Sequence, residues 1–402
     1  MKTRIMFMAD GIALSHVVRL RYLYNSLDES KYDLYFAVSP QFREFTKDMK
    51  NVVELTSLTV QEFDKRINGA DFKKIYDMAT INQYIKTDFE LFEKYKPDVI
   101  IGDLRISLGI STKMYGIPFV NVQNAYWSLY TINKEPAVPD MVVFHYLPKY
   151  ISKKMVLKFY PKIQKDFVVA YNQKCNEYGL ANVNTLNEFY STGDMNLYID
   201  TPLLSPTIGL PNTDRYIGPV LEFPEVLLPD FWDKIPEDKP LVYCSIGSTG
   251  SIKKNKFLIE ALKELDISVL IVTAGKHFTE MLPDNFYVCQ YVPALKVIER
   301  AALVIFNGGS GTLYQAMSKG KPIIALPTNM DQYFACAQVE KMGLGKILDY
   351  KDLRSKKLKN WIQDLIENLV WRNNCKKVEE EIKCYNSKVL FSQAVDEFID
   401  EI

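Results

Sequence analysis

The chain contains 402 residues, and its 49 lysines and arginines balance its 49 aspartates and glutamates. A formal net charge of zero excludes a global electrostatic attraction to nucleic acid or to a membrane, so any such attraction must be local. Since 48% of the residues are hydrophobic and 24% are charged, the composition excludes a disordered chain, and the length favours two domains over one.

The N-terminal segment MKTRIMFMADGIAL has only a short apolar stretch before Asp10, unlike a secretory signal. No run of roughly 18 apolar residues, the length that a membrane-spanning helix needs, occurs in the sequence. The six cysteines form no C-x-x-C pair, and several lie inside apolar segments, as expected of reduced thiols. We therefore expect a cytoplasmic protein without a disulfide framework or a metal site.

Short apolar runs alternate with amphipathic stretches along both halves of the chain. Such runs are typical of parallel strands that are buried on both faces, with helices crossing between them. In the first half they are RIMFMA, DLYFAV, PDVIIGD and FVNVQ, and in the second half PLVYCSIG, SVLIVTAG, ALVIF and PIIALP. The sequence therefore predicts an α/β protein built from two doubly wound domains.

A proline-rich and acidic stretch separates the two halves. This stretch, residues 221–240, has little periodicity and is interpreted as a linker between an N-terminal domain at 1–220 and a second domain at 241–380. Residues from about 126 to 188 are too long and too aromatic for a minimal alternating unit, and they predict a helical insertion. We expect the last segment, residues 381–402, to be a helix that can pack back on the N-terminal domain.

The stretch FNGGSGTLYQAMSKGKP, residues 306–322, places three glycines between a predicted strand and a predicted helix. The unpaired amides at the start of a helix and the positive end of its dipole bind phosphate, and glycines let the phosphate come close. The spacing fits neither G-x-G-x-x-G nor G-x-x-x-x-G-K-[ST]. From spacing alone, an anion site and a tight turn that serves packing both remain open.

The longer run from Gln290 to Gly345 resembles the donor-binding motif of the UDP-glycosyltransferase superfamily. A YVP element around Pro293, the GGSGT turn and an MDQ element follow in the order found in that family. The segments SHVVRL, RYIGPV and YCSIGSTGS also resemble family segments. The resemblance implies a GT-B architecture, in which two Rossmann-like domains face a central cleft, and the activity of a hexosyltransferase.

The resemblance also implies a donor site. Its residues would be Gly247, Ser248, Tyr291, Val292, Asn307, Gly308, Gly309, Ser310, Gly311, Thr312, Gln315, Asp331 and Gln332. The family usually has His where this chain has Asn307, and Glu where it has Gln315. Each amide still forms hydrogen bonds but without charge assistance, so we expect weaker or altered nucleotide binding. A non-catalytic protein that binds nucleotide sugars is therefore one alternative.

The family's general base and its supporting acid correspond to His16 and Asp103. His16 follows the first predicted strand by a short loop, and Asp103 ends PDVIIGD, so both lie at carboxyl ends of strands, where α/β sites occur. A neutral imidazole there would take the proton of an attacking hydroxyl, and the carboxylate would stabilise the charged ring. The resemblance implies a single displacement with inversion at the sugar. A sugar-nucleotide epimerase of the same fold is a second alternative, although the pair would have no evident task there.

The acceptor is the least defined part of the prediction. Tyr126, Trp127, Tyr130 and Phe144 could line a pocket for a small or lipid-like acceptor, or they could belong to the core. The lysine-rich stretch 149–165 could rest on an anionic membrane, or it could be a solvated face of a packed helix. We expect no metal and no resident cofactor, with a nucleotide sugar, UDP-linked, as co-substrate and no nucleic-acid partner.

Overall fold

The computed structural model describes residues 2–68, 71–139, 141–221, 226–245, 252–275 and 281–402. Within these ranges, two parallel β-sheets follow one another along the chain. The first sheet contains β1 (Thr3–Ala9), β2 (Tyr32–Val38), β3 (Val52–Glu54), β4 (Val99–Asp103), β5 (Phe119–Gln123), β6 (Met195–Tyr198) and β7 (Arg215–Tyr216). The second contains β8 (Leu241–Ser245), β9 (Ser268–Val272), β10 (Phe286–Cys289), β11 (Leu303–Phe306), β12 (Ile323–Ala325) and β13 (Gly345–Ile347).

Helices connect and cover the strands of both sheets. Those of the first half are α1 (Leu14–Tyr24), α2 (Val60–Asn68), α3 (Met78–Tyr95), α4 (Leu108–Tyr115), α5 (Val142–Tyr146), α6 (Lys149–Phe167), α7 (Val169–Glu177) and α8 (Leu186–Tyr190). Those of the second half are α9 (Ile252–Lys263), α10 (Ala294–Arg300), α11 (Ser310–Met317), α12 (Met330–Ala335), α13 (Tyr350–Leu353), α14 (Leu358–Glu367), α15 (Leu369–Lys383) and α16 (Ser387–Glu401). None of the described helices is both long and apolar enough to cross a bilayer.

The first six strands of each sheet follow the same order. It is β3-β2-β1-β4-β5-β6-β7 in the first and β10-β9-β8-β11-β12-β13 in the second. In each sheet the order reverses direction beside the first strand, between β1 and β4 and between β8 and β11. Ligands of doubly wound sheets bind at the carboxyl ends of the strands at such a switch point. The fold therefore assigns one candidate binding edge to each domain.

The predicted apolar runs all form strands. β1 and β4 are buried along most or all of their length, as expected for strands covered on both faces. The shorter strands β3 and β13 were not predicted, since three-residue segments carry little pattern. The four-residue strands β6, which lies after the helical insertion, and β10 were not predicted either.

The C-terminal helix α16 lies on the first sheet. Its Phe391, Ala394 and Val395 are fully buried in one apolar cluster with residues of α1, β1 and β2. The preceding helix α15 packs one apolar face on the second domain, against α11. The chain thus passes between the domains once between β7 and β8 and again between α15 and α16. Gly218 of the first passage, with φ of +82°, lies directly against Tyr385 of the second.

The insertion between β5 and β6 holds α5 to α8 and contacts the second domain. Lys149, at the start of α6, lies 3.1 Å from the Asp349 carboxylate and 3.2 Å from that of Asp352. The His145 ring on α5 stacks on Tyr350, with ring centroids 4.4 Å apart. The insertion therefore bridges the two domains beside the cleft.

Candidate active site

His16 and Asp103 meet at the switch point of the first sheet. β1 and β4 pair in register, with Ala9 opposite Asp103, so Asp103 lies at the edge where the chain leaves β1 for α1. His16 is in the first turn of α1, and its Nδ1 lies 2.8 Å from Asp103 Oδ1. The Asp103 side chain is almost completely buried, and that of His16 is 12% exposed. This is the geometry of an imidazole oriented by a carboxylate.

Arg19, one turn further along α1, contacts both members of this pair. Its Nε donates to Asp103 Oδ2, and its Nη2 donates to Asp103 Oδ1 at 2.6 Å. The same Nη2 lies 2.8 Å from His16 Nδ1. Burial alone would raise the pKa of Asp103, but the charges of Arg19 and His16 and their hydrogen bonds outweigh burial and lower it. Asp103 is therefore ionised. Arg19 was not predicted, and only its i+3 spacing from His16 placed it on the same helix face.

A further carboxyl group, Asp10, lies at the same edge and was not predicted. Its backbone N–H donates to the carbonyl of Asp103 at 3.2 Å, and its Oδ1 accepts from the amide of Ile12 at 3.1 Å. Burial raises the pKa of Asp10, with Arg105 and His16 acting in the opposite direction. Its position directly after β1, like that of Asp103 at the end of β4, is the signal that the sequence offered.

A series of hydrogen bonds connects the His16–Asp103 pair, called the dyad below, with the second domain. Arg19 Nη1 donates to Asn124 Oδ1 at 3.2 Å, and Asn124 Nδ2 donates to Asp200 Oδ1 at 3.0 Å. Asp200 also accepts from the amide of Ala125 and from the hydroxyl of Tyr314 on α11. Burial raises the pKa of Asp200 to about 6, although its hydrogen bonds act against that shift. The candidate base and the helix of the glycine turn are therefore parts of one polar network.

The glycine turn lies at the switch point of the second sheet. β11 ends at Phe306, Gly309 is the N-cap of α11, and the helix begins at Ser310. Gly308 has φ of +87°, a conformation that favours glycine. Gly309 has an ordinary φ of −67°, and a Cβ atom there would have only Asn307 Oδ1, at 3.6 Å, among its described neighbours. The backbone conformation and close neighbours explain why residue 308 is a glycine, but they do not explain residue 309. A glycine at position 309 suits the close approach of a ligand.

The other residues of the predicted donor site occupy varied environments. Gln315 is buried, and its Nε2 donates to the carbonyl of Leu221 at 3.5 Å. Gln332 is buried too, and its Oε1 accepts from the amide and hydroxyl of Thr328. Val292 belongs to the core of the second domain, whereas Tyr291 is 56% exposed. Gly247 and Ser248 lie outside the described residues.

Asp331 receives hydrogen bonds from two aromatic residues of the first domain. Trp127 Nε1 donates to Asp331 Oδ1 at 2.8 Å, and the Tyr126 hydroxyl donates to the same oxygen at 3.0 Å. Tyr126 also hydrogen-bonds to Ser310 of the turn. Burial, with Asp331 beside it, raises the pKa of Tyr126, so the phenol remains a donor. Two residues expected at the acceptor thus contact two residues expected at the donor.

The predicted acceptor residues are brought together only in part. The Trp127 ring contacts those of Phe334 and Tyr190, with centroids 5.2 and 4.9 Å apart, and it is only partly buried. Tyr130 lies in a loop, and its carbonyl accepts a hydrogen bond from the amide of Ile208. Phe144 lies on α5, and within the described ranges no ring contact connects it with Tyr126 or Trp127. Over the same ranges, no group of three His, Cys, Asp or Glu side chains is arranged to hold a metal ion.

Two doubly wound domains, with a glycine turn at the switch point of one and a His–Asp pair at that of the other, define the class of GT-B glycosyltransferases. The sequence relatives support the same class. Residues 256–388 match the family model "Erythromycin biosynthesis protein CIII-like, C-terminal domain". A "PGL/p-HBAD biosynthesis glycosyltransferase" of Mycobacterium tuberculosis is 32% identical over 382 residues, which cover 94% of this chain and 88% of the relative. The chain belongs to the UDP-glycosyltransferase superfamily.

Further comparisons agree with this assignment. A "PGL/p-HBAD biosynthesis rhamnosyltransferase" of Mycobacterium bovis is also 32% identical, over 92% of this chain and 82% of the relative. The calicheamicin glycosyltransferase CalG4 has a similar fold, with a TM-score of 0.76 and 16% identity over 100% of this chain and 99% of its own. The spinosyn rhamnosyltransferase SpnG, solved with thymidine diphosphate, gives a TM-score of 0.66 and 16% identity over 97% and 98% of the two chains. The GT-B fold and the glycosyltransferase activity predicted from the sequence are confirmed.

Proposed function

We propose that the protein transfers a sugar from a nucleoside diphosphate donor to a hydroxyl of a small or lipid-like acceptor, with inversion and without a metal ion. The nucleotide sugar is a co-substrate, and no resident cofactor takes part. The observation that carries this proposal is the 2.8 Å contact between His16 Nδ1 and Asp103 Oδ1, at the edge of the first sheet. Tyr126 of the first domain hydrogen-bonds to Ser310 at the glycine turn.

The reaction proceeds as one displacement. His16 Nε2 takes the proton of the acceptor hydroxyl. The hydroxyl oxygen bonds to the anomeric carbon of the sugar, while the bond from that carbon to the diphosphate breaks. Ionised Asp103 stabilises the imidazolium that forms. The amides at the start of α11, with its helix dipole, stabilise the charge on the departing diphosphate. In this proposal, Asp331 accepts hydrogen bonds from sugar hydroxyls.

The nucleotide of the donor is a pyrimidine nucleotide in this proposal. The sequence motif favours UDP, and the thymidine diphosphate complex of SpnG supports a thymidine nucleotide as a second candidate. SpnG has also been solved with spinosyn aglycone, which supports a small-molecule acceptor. Asn307 and Gln315 form hydrogen bonds to the donor without charge assistance, so the donor binds more weakly than in relatives with His and Glu there.

A peripheral membrane contact through α5 and α6 is part of the proposal. Val142, Tyr146 and Tyr150 are 70%, 80% and 68% exposed, and α6 carries the exposed Lys154 and Lys158 beside them. Aromatic residues next to lysines fit an anionic membrane surface. Vesicles of phosphatidylcholine with phosphatidylglycerol should pull down the protein, and Lys154→Glu with Lys158→Glu should release it. Equal binding to phosphatidylcholine alone would remove the electrostatic part of this contact.

The first test is a thermal-shift series with UDP, TDP, GDP and their common sugar conjugates. A ligand at about 100 times its Kd adds roughly 2.7 kcal/mol of stability, which such a measurement resolves. The conjugate that raises the midpoint becomes the donor in an acceptor screen. His16→Gln should then abolish transfer and leave the donor-induced shift unchanged. The control is His145→Gln, since His145 stacks on Tyr350 away from the dyad. Full transfer by His16→Gln would exclude His16 as the base.

A further inference from the structure

The dyad differs from a simple His–Asp pair because a guanidinium contacts both of its members. Arg19 approaches Asp103 side-on, with Nε on one carboxylate oxygen and Nη2 on the other. The side chains of Arg19 and His16 are 11% and 12% exposed, so water screens this arrangement weakly. In a simple pair, the full negative charge of the carboxylate favours the protonated imidazole. Here the positive charge of Arg19 lies against both oxygens of the same carboxylate and opposes its negative charge.

Arg19 also offers His16 a second hydrogen-bonding arrangement. His16 Nδ1 lies 2.8 Å from Asp103 Oδ1 and 2.8 Å from Arg19 Nη2. A guanidinium only donates, whereas an ionised carboxylate only accepts. Nδ1 therefore either carries a proton and donates to Asp103, or is bare and accepts from Arg19. Only the first tautomer leaves Nε2 with the lone pair that a general base needs.

Other charged and titratable groups surround the dyad. Asp10 faces it from the end of β1, and the Arg105 guanidinium lies near Asp10. Asp331 of α12 and Tyr126 act on Arg19 from the side of the second domain. Asp200, through Asn124, lies on the far side of Arg19. Arg19 contacts both His16 and Asp103 directly through its Nη2.

We propose that Arg19 is a positioning residue for the catalytic base: it fixes the Asp103 carboxylate and weakens the pull of Asp103 on the imidazole proton. This inference rests on the proposed role of His16. Its consequence is that removing the Arg19 charge should strengthen the electrostatic pull of Asp103 on the imidazole, whereas Arg19→Lys should preserve the wild-type pull. The same contact places part of the neutral imidazole in the tautomer that cannot act as a base.

The test is a ¹⁵N NMR titration of the histidine rings in the full-length protein, with His16→Gln to assign the signals. In Arg19→Gln, which removes the charge, His16 should take up its proton about one pH unit or more above the wild-type value. The neutral ring should move towards the Nδ1–H tautomer. Arg19→Lys keeps the charge, so its titration should stay close to that of the wild type. An unchanged titration in Arg19→Gln would overturn the inference.

A second variant covers the case in which Arg19→Gln fails to fold because Asp103 is left buried without a cation. Arg19→Gln combined with Asp103→Asn removes both charges, and His16 should then titrate close to the wild-type pH. A titration that instead falls well below it would contradict the neutralising role of Arg19. The acid limb of the kcat/KM profile, measured with the donor found above, should move with the NMR titration. Loss of transfer in His16→Gln supports the base, and the titration tests Arg19 separately.

Discussion

The indole Nε1 of Trp127 and the carboxylate of Asp331 form a 2.8 Å hydrogen bond between the two domains. Trp127 follows the sheet of the first domain, and Asp331 is in the first turn of α12 in the second. The contact is supported by packing, since Phe334 of the same helix lies edge-on to the indole ring. The contact thus orients the carboxylate that we propose for sugar binding.

Trp127→Phe should therefore impair use of the donor sugar. The variant keeps a ring against Phe334 but removes a hydrogen bond to a charged group, worth about 1.5–3 kcal/mol. We expect kcat/KM for the nucleotide sugar to fall by roughly 10-fold or more, while binding of the bare nucleotide diphosphate stays close to wild type. Trp371→Phe is the matched control, because Trp371 Nε1 of α15 donates to Asp364 of α14 at the same 2.8 Å, within the second domain. Equal losses in both variants would contradict the role of Trp127.

Adjacent glycines of the turn should respond differently to alanine. Gly309→Ala should leave the midpoint of thermal unfolding nearly unchanged, because its φ is ordinary and, among the described residues, its Cβ would meet nothing closer than 3.6 Å. It should nevertheless abolish the thermal shift caused by the nucleotide. Gly308→Ala should lower stability by about 1 kcal/mol or more, because φ is +87° and the Cβ would lie 3.1 Å from Gln332 and 3.2 Å from Pro327. Unchanged nucleotide binding by a folded Gly309→Ala variant would exclude the turn as a phosphate site.

Asp200 should make stability depend on pH. Its pKa is raised from 3.8 to about 6 by burial, so the folded chain holds this proton more tightly than the unfolded chain. The associated stability is complete below about pH 4 and is lost as the pH rises through 6. Relative to Asp200→Asn, which does not titrate, the free energy of unfolding should therefore fall between pH 4 and pH 7, by up to about 3 kcal/mol. Urea unfolding at several pH values measures this, and a constant difference would be inconsistent with it.

The contact of α16 with the first domain should be a large part of that domain's stability. Phe391 is fully buried, and its ring centroid lies 6.2 Å from that of Phe7 on β1. Phe391→Ala should lower the free energy of unfolding by about 3–5 kcal/mol. Val389→Ala is the control on the same helix, since Val389 is 47% exposed, and it should change stability by less than about 0.5 kcal/mol. Urea titration followed by circular dichroism distinguishes the two variants.

The apolar runs predicted most of the strands because burial on both faces requires them. Short edge strands such as β3 and β13 escaped prediction, since three residues carry no pattern that tertiary contacts cannot override. For the site, the pairing of His16 with Asp103 could be expected because both follow strands that meet at a switch point. The positions of Tyr126 and Trp127 could not, because their partner Asp331 is about two hundred residues away in sequence.

The contacts of Arg19 could not be predicted from the sequence for a different reason. An arginine three residues after a helical histidine lies on the same face of the helix, but the sequence alone cannot say which carboxylate it meets. That depends on the register of β1 and β4, which places Asp103 within reach. The roles of Tyr130 and Phe144 at the acceptor stay predictions, as do those of Gly247 and Ser248 at the donor.

The two passages of the chain between the domains have a mechanical consequence. Gly218 of the first passage and Tyr385 of the second lie against each other. The domains are therefore connected by two adjacent segments rather than by a single linker. We expect two adjacent connections to restrict the relative motion of the domains more than a single linker would. The same restriction should limit how far the glycine turn can move relative to His16 when no ligand is bound.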